Sequence, residues 1–142
     1  MHKPLGYLLT VVLLFLTGCA TAAPQCQNML QAITTPPVFI KYERCEVQTQ
    51  NQGVPVVAIY QIDGADAAAA EAFLHERFGL ASSLVRNCCM WELPAAIPYQ
   101  ENASAPYYNI RMYSEETVVS TRENWPQIRN FYLTVTTYSE EI

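Results

Sequence analysis

Hydrophobic positions change their spacing several times along this chain, and each change marks an element. Cys26, Met29, Leu30 and Ile33 fall at i, i+3, i+4 and i+7, one face of a helix that Pro36-Pro37 brings to an end. On that stripe Cys26 is expected to point into the core. Residues 38–47 and 54–62 are rich in β-branched and aromatic side chains and are separated by a polar stretch ending in Gly53, which predicts a hairpin. Asp63-Gly64-Ala65-Asp66 then opens a second helix, with an Asp as candidate N-cap. Ala70, Phe73, Leu74 and Phe78 form its apolar stripe, Glu71, His75 and Glu76 face water, and Gly79 stands where a left-handed C-cap residue belongs.

The second half reads as strand, loop, strand, loop, strand. Residues 84–93 alternate, which predicts Val85, Cys89, Trp91 and Leu93 on one face and Arg86, Cys88 and Glu92 on the other. Residues 94–106 hold three prolines and read as a loop. Residues 107–115 and 130–139 alternate again, with a short helical turn around Trp125-Pro126 between them. The order α-β-β-α-β-β-β predicts an α+β fold, a two-layer antiparallel sheet with helices packed on one face.

Residues 1–18 have a different pattern. His2 and Lys3 form a short cationic start, residues 5–16 are almost wholly apolar, and small residues follow. The apolar run is shorter than the ~20 residues a membrane-spanning helix needs. Leu16-Thr17-Gly18-Cys19 closes it and resembles the lipobox of bacterial lipoproteins, in which the Cys carries a diacylglycerol after the signal peptide is cut off before it. The resemblance implies a lipid anchor on Cys19, with palmitate-type acyl chains. Ala20, rather than Asp, after the Cys implies the outer membrane, facing the periplasm. The expected organisation is a signal peptide at 1–18, a tether at 19–25 and one domain at 26–142.

Charge fits an anchor made by lipid rather than by electrostatics. Without Lys3, seven basic residues stand against thirteen acidic ones, and no basic cluster is present. This argues against nucleic acid and against charge-driven attachment to anionic lipid. Each buried methylene contributes ~0.8 kcal/mol, so several acyl chains would hold the protein firmly. The six residues between Cys19 and Cys26 reach roughly 25 Å at most, which keeps the domain near the membrane surface.

Cys26, Cys45, Cys88 and Cys89 remain in the folded part, and an even number in an oxidising compartment favours two disulfides. Because Cys88 and Cys89 are expected on opposite strand faces, the predicted pairs are Cys26–Cys89 and Cys45–Cys88. A vicinal Cys88–Cys89 bond is the rival. Neither Cys-x-x-Cys nor His-x-x-x-His spacing occurs, so no metal and no cofactor is expected.

Cys26, Cys45, the Cys88-Cys89-Met90-Trp91 run, Ser114-Glu115-Glu116-Thr117 and the segment 125–131 together are similar to an uncharacterised family of small Gram-negative lipoproteins, a domain of unknown function. That resemblance implies no catalytic residues. The residues agree: Ser82 and Ser83 lack a Gly-x-Ser-x-Gly frame, no Gly-rich phosphate loop is present, and the adjacent pairs Glu115-Glu116 and Glu140-Glu141 diverge across a strand. An enzyme is therefore not expected.

Alternation does leave one surface to account for. If Tyr108, Ile110, Met112, Phe131, Leu133 and Val135 face the core, then Tyr107, Asn109, Arg111, Tyr113, Tyr132, Thr134, Thr136 and Tyr138 share the opposite face. Tyr and Arg are enriched at interfaces because they join apolar area to a polar tip, although Tyr and Thr also suit any solvated strand. The expectation is a lipid-anchored binding module for an envelope protein or glycan. Inhibition of an incoming hydrolase such as lysozyme, and an enzyme of unrecognised type, are the alternatives.

Overall fold

The computed structural model describes residues 24–139. The expected signal peptide at 1–18, Cys19 with most of the expected tether, and Glu140-Glu141 lie outside them. The elements are α1 (Met29–Ile33), β1 (Lys41–Val47), β2 (Pro55–Asp63), α2 (Ala67–Phe78), β3 (Val85–Asn87), β4 (Met90–Glu92), β5 (Ile97–Tyr99), β6 (Tyr108–Ser114) and β7 (Asn130–Tyr138). Short 3₁₀ turns at Gly64–Asp66 and Arg122–Gln127 complete the order.

The seven strands form one antiparallel sheet in the order β1-β2-β7-β6-β4-β3, with β5 paired to β6 beyond the end of β4. This overturns the expected two-layer α+β domain with helices packed on one face. The sheet dominates, and among the described residues only α2 exceeds two turns. Three sequence features account for the difference. Cys26 and Gln27 precede the first helix, so α1 is five residues capped by Asn28, whose side chain accepts from Gln31 N–H. The expected strand at 84–93 breaks at Cys88-Cys89 into the two arms of a hairpin. The proline-rich loop contains a strand, since Ile97, Pro98 and Tyr99 pair with Ile110, Asn109 and Tyr108 of β6.

The core lies on the face where the alternating residues converge. Ala58, Tyr60 and Ile62 of β2, Phe131, Leu133 and Val135 of β7, and Ile110 and Met112 of β6 are buried there with Met29, Leu30, Ala70, Leu74, Trp91 and Trp125. Burial of a large apolar side chain contributes about 1.5–3 kcal/mol, so this face carries most of the folding energy. α2 ends as its sequence predicts. Gly79 takes φ 67°, its N–H donates to His75 O at 3.1 Å, and Leu80 N–H donates to Leu74 O at 3.3 Å.

Two helix residues depart from expectation. Glu71 does not face water: it is 6% exposed, accepts from Leu84 N–H at 2.7 Å and pairs with Arg122. Cys26 is exposed rather than buried with the stripe, because it stands before the helix begins.

Candidate functional site

Opposite the core, strand pairing arranges the outer side chains in transverse rows. Arg44 pairs with Ile59, Ile59 with Thr134, and Thr134 with Arg111. One row further along, Gln61 pairs with Tyr132, Tyr132 with Tyr113, and Tyr113 with Glu92. On the other side, Glu46, Val57, Thr136 and Asn109 make a third row. Residues opposite one another across antiparallel strands share a face, so these rows form a continuous surface.

Arg111, Tyr113, Tyr132, Thr134 and Thr136 are brought together there. Tyr138 lies at the far end of β7, opposite Pro55. Tyr107 stands one residue before β6 begins, exposed at the margin of the surface. Residues from β1 and β2, which the sequence reading left out, complete it.

The surface dips where β1 carries a bulge. Tyr42 pairs with Tyr60 and Arg44 with Ile59, leaving Glu43 as the extra residue. The re-aimed Glu43 and Arg44, with Ile59, Tyr113 and Tyr132, line a shallow cleft of about 200 Å³. Tyr113 and Tyr132 form its aromatic wall, with ring centroids 5.6 Å apart and planes tilted by 35°. Arg44 donates from Nε to Glu46 Oε1 at 2.6 Å and pairs with Glu43. Burial, and then the neighbouring Tyr132, push the Tyr113 hydroxyl above its ordinary pKa. The cleft therefore offers two phenol side chains, an isoleucine and an ion pair, groups suited to hydrogen bonding and stacking.

The cysteines are arranged differently from the predicted pairs. Cys26 is bonded to Cys45 of β1, with Cα atoms 5.5 Å apart, while Cys88 and Cys89 are free. Cys26–Cys89 and Cys45–Cys88 are thus corrected to a single bond that ties the segment before α1 to the first strand. The cause is the hairpin turn: Cys88 and Cys89 are its two central residues, held away from both Cys26 and Cys45.

Cys88 takes φ 51°, the left-handed region where a two-residue hairpin loop normally places glycine. Thr117 N–H donates to Cys89 O at 2.6 Å, which fastens the turn to residues 117–119. Arg86 donates to the carbonyls of Thr117 and Val119, and Trp91 Nε1 donates to Val119 O at 3.1 Å. A hydrogen bond with the Cys88 thiol, burial, and the charges of Cys88 and Glu116 push the Cys89 thiol upward in pKa.

No curated protein and no solved structure matches the chain at a significant level. A family model does match, over residues 18–91, just over half of the 142 residues. The matched stretch takes in all four cysteines of the folded part and stops at Trp91, before β6 and β7 contribute the tyrosines of the outer face. The chain belongs to the family of this domain of unknown function, DUF4952.

Proposed function

We propose that this protein is a lipid-anchored envelope module of a Gram-negative bacterium that binds a protein or glycan of the periplasm or outer membrane through the tyrosine face of its sheet. The observation that carries the reading is the row geometry. Tyr113, Tyr132, Thr134, Thr136 and Arg111 stand side by side on the face opposite the core, and a bulge opens a cleft among them. Aromatic side chains with polar tips make good contact surface at small entropic cost. The lipobox-like Leu16-Thr17-Gly18-Cys19 supplies the anchor, and the short tether keeps the surface within reach of membrane-bound partners.

Two variants test the two halves of the reading separately. Cys19→Ser removes the acylated thiol and yields an unprocessed or soluble product. Recovery of this variant with outer membrane at high salt would refute the anchor. The double variant Tyr113→Ala/Tyr132→Ala loses partner capture from envelope extracts but retains its membrane fraction. Undiminished capture by a folded double variant would refute the binding face.

A further inference from the structure

Cys88 and Cys89 combine three properties that a structural pair of side chains at a turn does not need. Both are free, they neighbour one another in a two-residue hairpin loop, and Cys88 occupies a backbone conformation that favours glycine. A non-glycine residue kept in such a conformation points to a use for its side chain. The chain also carries a disulfide elsewhere, Cys26–Cys45, a bond of the kind that forms in oxidising compartments.

We infer that Cys88 and Cys89 are a reversible dithiol pair that closes to a vicinal disulfide, with Cys88 as the attacking thiol and Cys89 as the resolving one. The order follows from access: Cys88 is exposed, whereas Cys89 is partly covered and fastened through its carbonyl to Thr117. The Cys88 sulfur, having given up its proton, attacks the disulfide of a small-molecule or protein oxidant. A Cys88–oxidant disulfide forms and one thiolate of the oxidant leaves. The Cys89 sulfur then loses its proton and displaces the second thiolate as the Cys88–Cys89 bond forms. The chain gives up two electrons and two protons, and the oxidant is reduced to two thiols.

Closing the bond re-forms the turn, and the change has a path inward. Cys89 O accepts from Thr117, while Arg86 and Trp91 grip the Thr117 and Val119 carbonyls. Trp91 meets Trp125 edge-on at 5.3 Å, so the oxidation state of the turn is read at the only two tryptophans of the chain.

Mild reduction of the purified protein, incubation with oxidised glutathione and thiol alkylation before peptide mapping test the inference. The peptide holding Cys88 and Cys89 should emerge unalkylated and lighter by two hydrogens than its reduced form, and alkylate fully after a second reduction. Cys89→Ser should retain glutathione on Cys88, and Cys88→Ser should react with oxidised glutathione at least tenfold more slowly at Cys89. Free thiols or a persistent glutathione adduct in the wild-type protein would overturn the pair, and equal rates for the two variants would overturn the assigned order. Tryptophan emission should shift on closure and return on reduction; unchanged emission as the bond forms would overturn the coupling to Trp91.

Discussion

From Pro55 opposite Tyr138 to Asp63 opposite Asn130, β2 and β7 keep one register without a break, whereas β3 and β4 make a three-residue ladder and β4 meets β6 at Glu92–Tyr113. In the first region backbone ladders and alternating side chains hold the structure. In the second, side chains do what the ladders cannot. Arg86 and Trp91 bind the carbonyls of residues 117–119, Ser114 Oγ accepts from Trp91 N–H, and Glu71 joins Leu84 to Arg122. A ladder spreads its energy over many equivalent bonds, so single changes in its outer face cost little. A strapped region concentrates energy in a few groups, and each of those is costly to lose.

Gly64 tests the strapped region hardest. Its Cα faces the carbonyl oxygens of Trp125 and Ile128 so closely that a methyl group would overlap both. Gly64→Ala must push the 122–128 segment off the core, and about 4 kcal/mol of unfolding free energy should be lost. Denaturant titration checks this; a loss under 1 kcal/mol would show that the segment gives way freely.

The Cys26–Cys45 bond tests the ladder side, because it is the covalent addition to β1. It spans a sequence separation of 19, for which chain-entropy estimates give about 3 kcal/mol. The Cys26→Ser/Cys45→Ser variant should lose that amount while keeping its strand content by circular dichroism. Glu71→Ala should come next, at about 2 kcal/mol, because Leu84 N–H loses its acceptor and Arg122 its partner. Arg122 is half in solvent, so the loss stays below that of a fully buried pair. If Glu71→Ala costs no more than an exposed change such as Glu76→Ala, the contrast between the two regions fails.

Tyr60 gives a smaller effect with its own pH window. Its hydroxyl donates to Asn28 Oδ1 and accepts from Leu30 N–H, both at 2.8 Å, joining β2 to α1. Burial raises its pKa from 10.0 to about 12, so the folded form holds the proton more tightly than the unfolded one. The stabilisation is complete below pH 10 and disappears as the pH rises through about 12. Tyr60→Phe should cost about 1 kcal/mol at neutral pH and flatten the fall in stability across that alkaline window. An unchanged alkaline profile would assign the fall to another group.

What could be read from the sequence follows the same division. Strict alternation in residues 107–115 and 130–139 is enough to place Tyr113, Tyr132, Thr134 and Thr136 together, because side chains in a regular strand have a period of two. The bulge at Glu43 is invisible to that pattern and hides the place of Arg44, while Ile59 joins the face only through the pairing of β2 with β7, which alternation alone does not give. Cys88-Cys89 lacks the glycine or asparagine that marks a tight turn, and its neighbours alternate well, so it reads as mid-strand. Four cysteines allow three pairings, and the opposite strand faces expected for Cys88 and Cys89 point to the wrong one, because these residues form a turn and not a strand. Glu71 resembles any solvated helix carboxylate until Arg122, far away in sequence, arrives beside it.

Substitutions on the tyrosine face should disturb the fold least. Tyr113→Ala and Tyr132→Ala should each cost under about 1 kcal/mol, the range of a cross-strand aromatic pair, and spare the core. Binding, not stability, is what this surface is proposed to provide. Site-specific photo-crosslinking in intact cells tests that most directly, with the reactive group placed at Thr134 in the middle of the rows and, for comparison, at the exposed Glu76 of α2. The account predicts a discrete crosslinked species from Thr134, lost when Tyr113 and Tyr132 are replaced by alanine, and none from Glu76. No adduct from Thr134, or the same adduct from both positions, would contradict it.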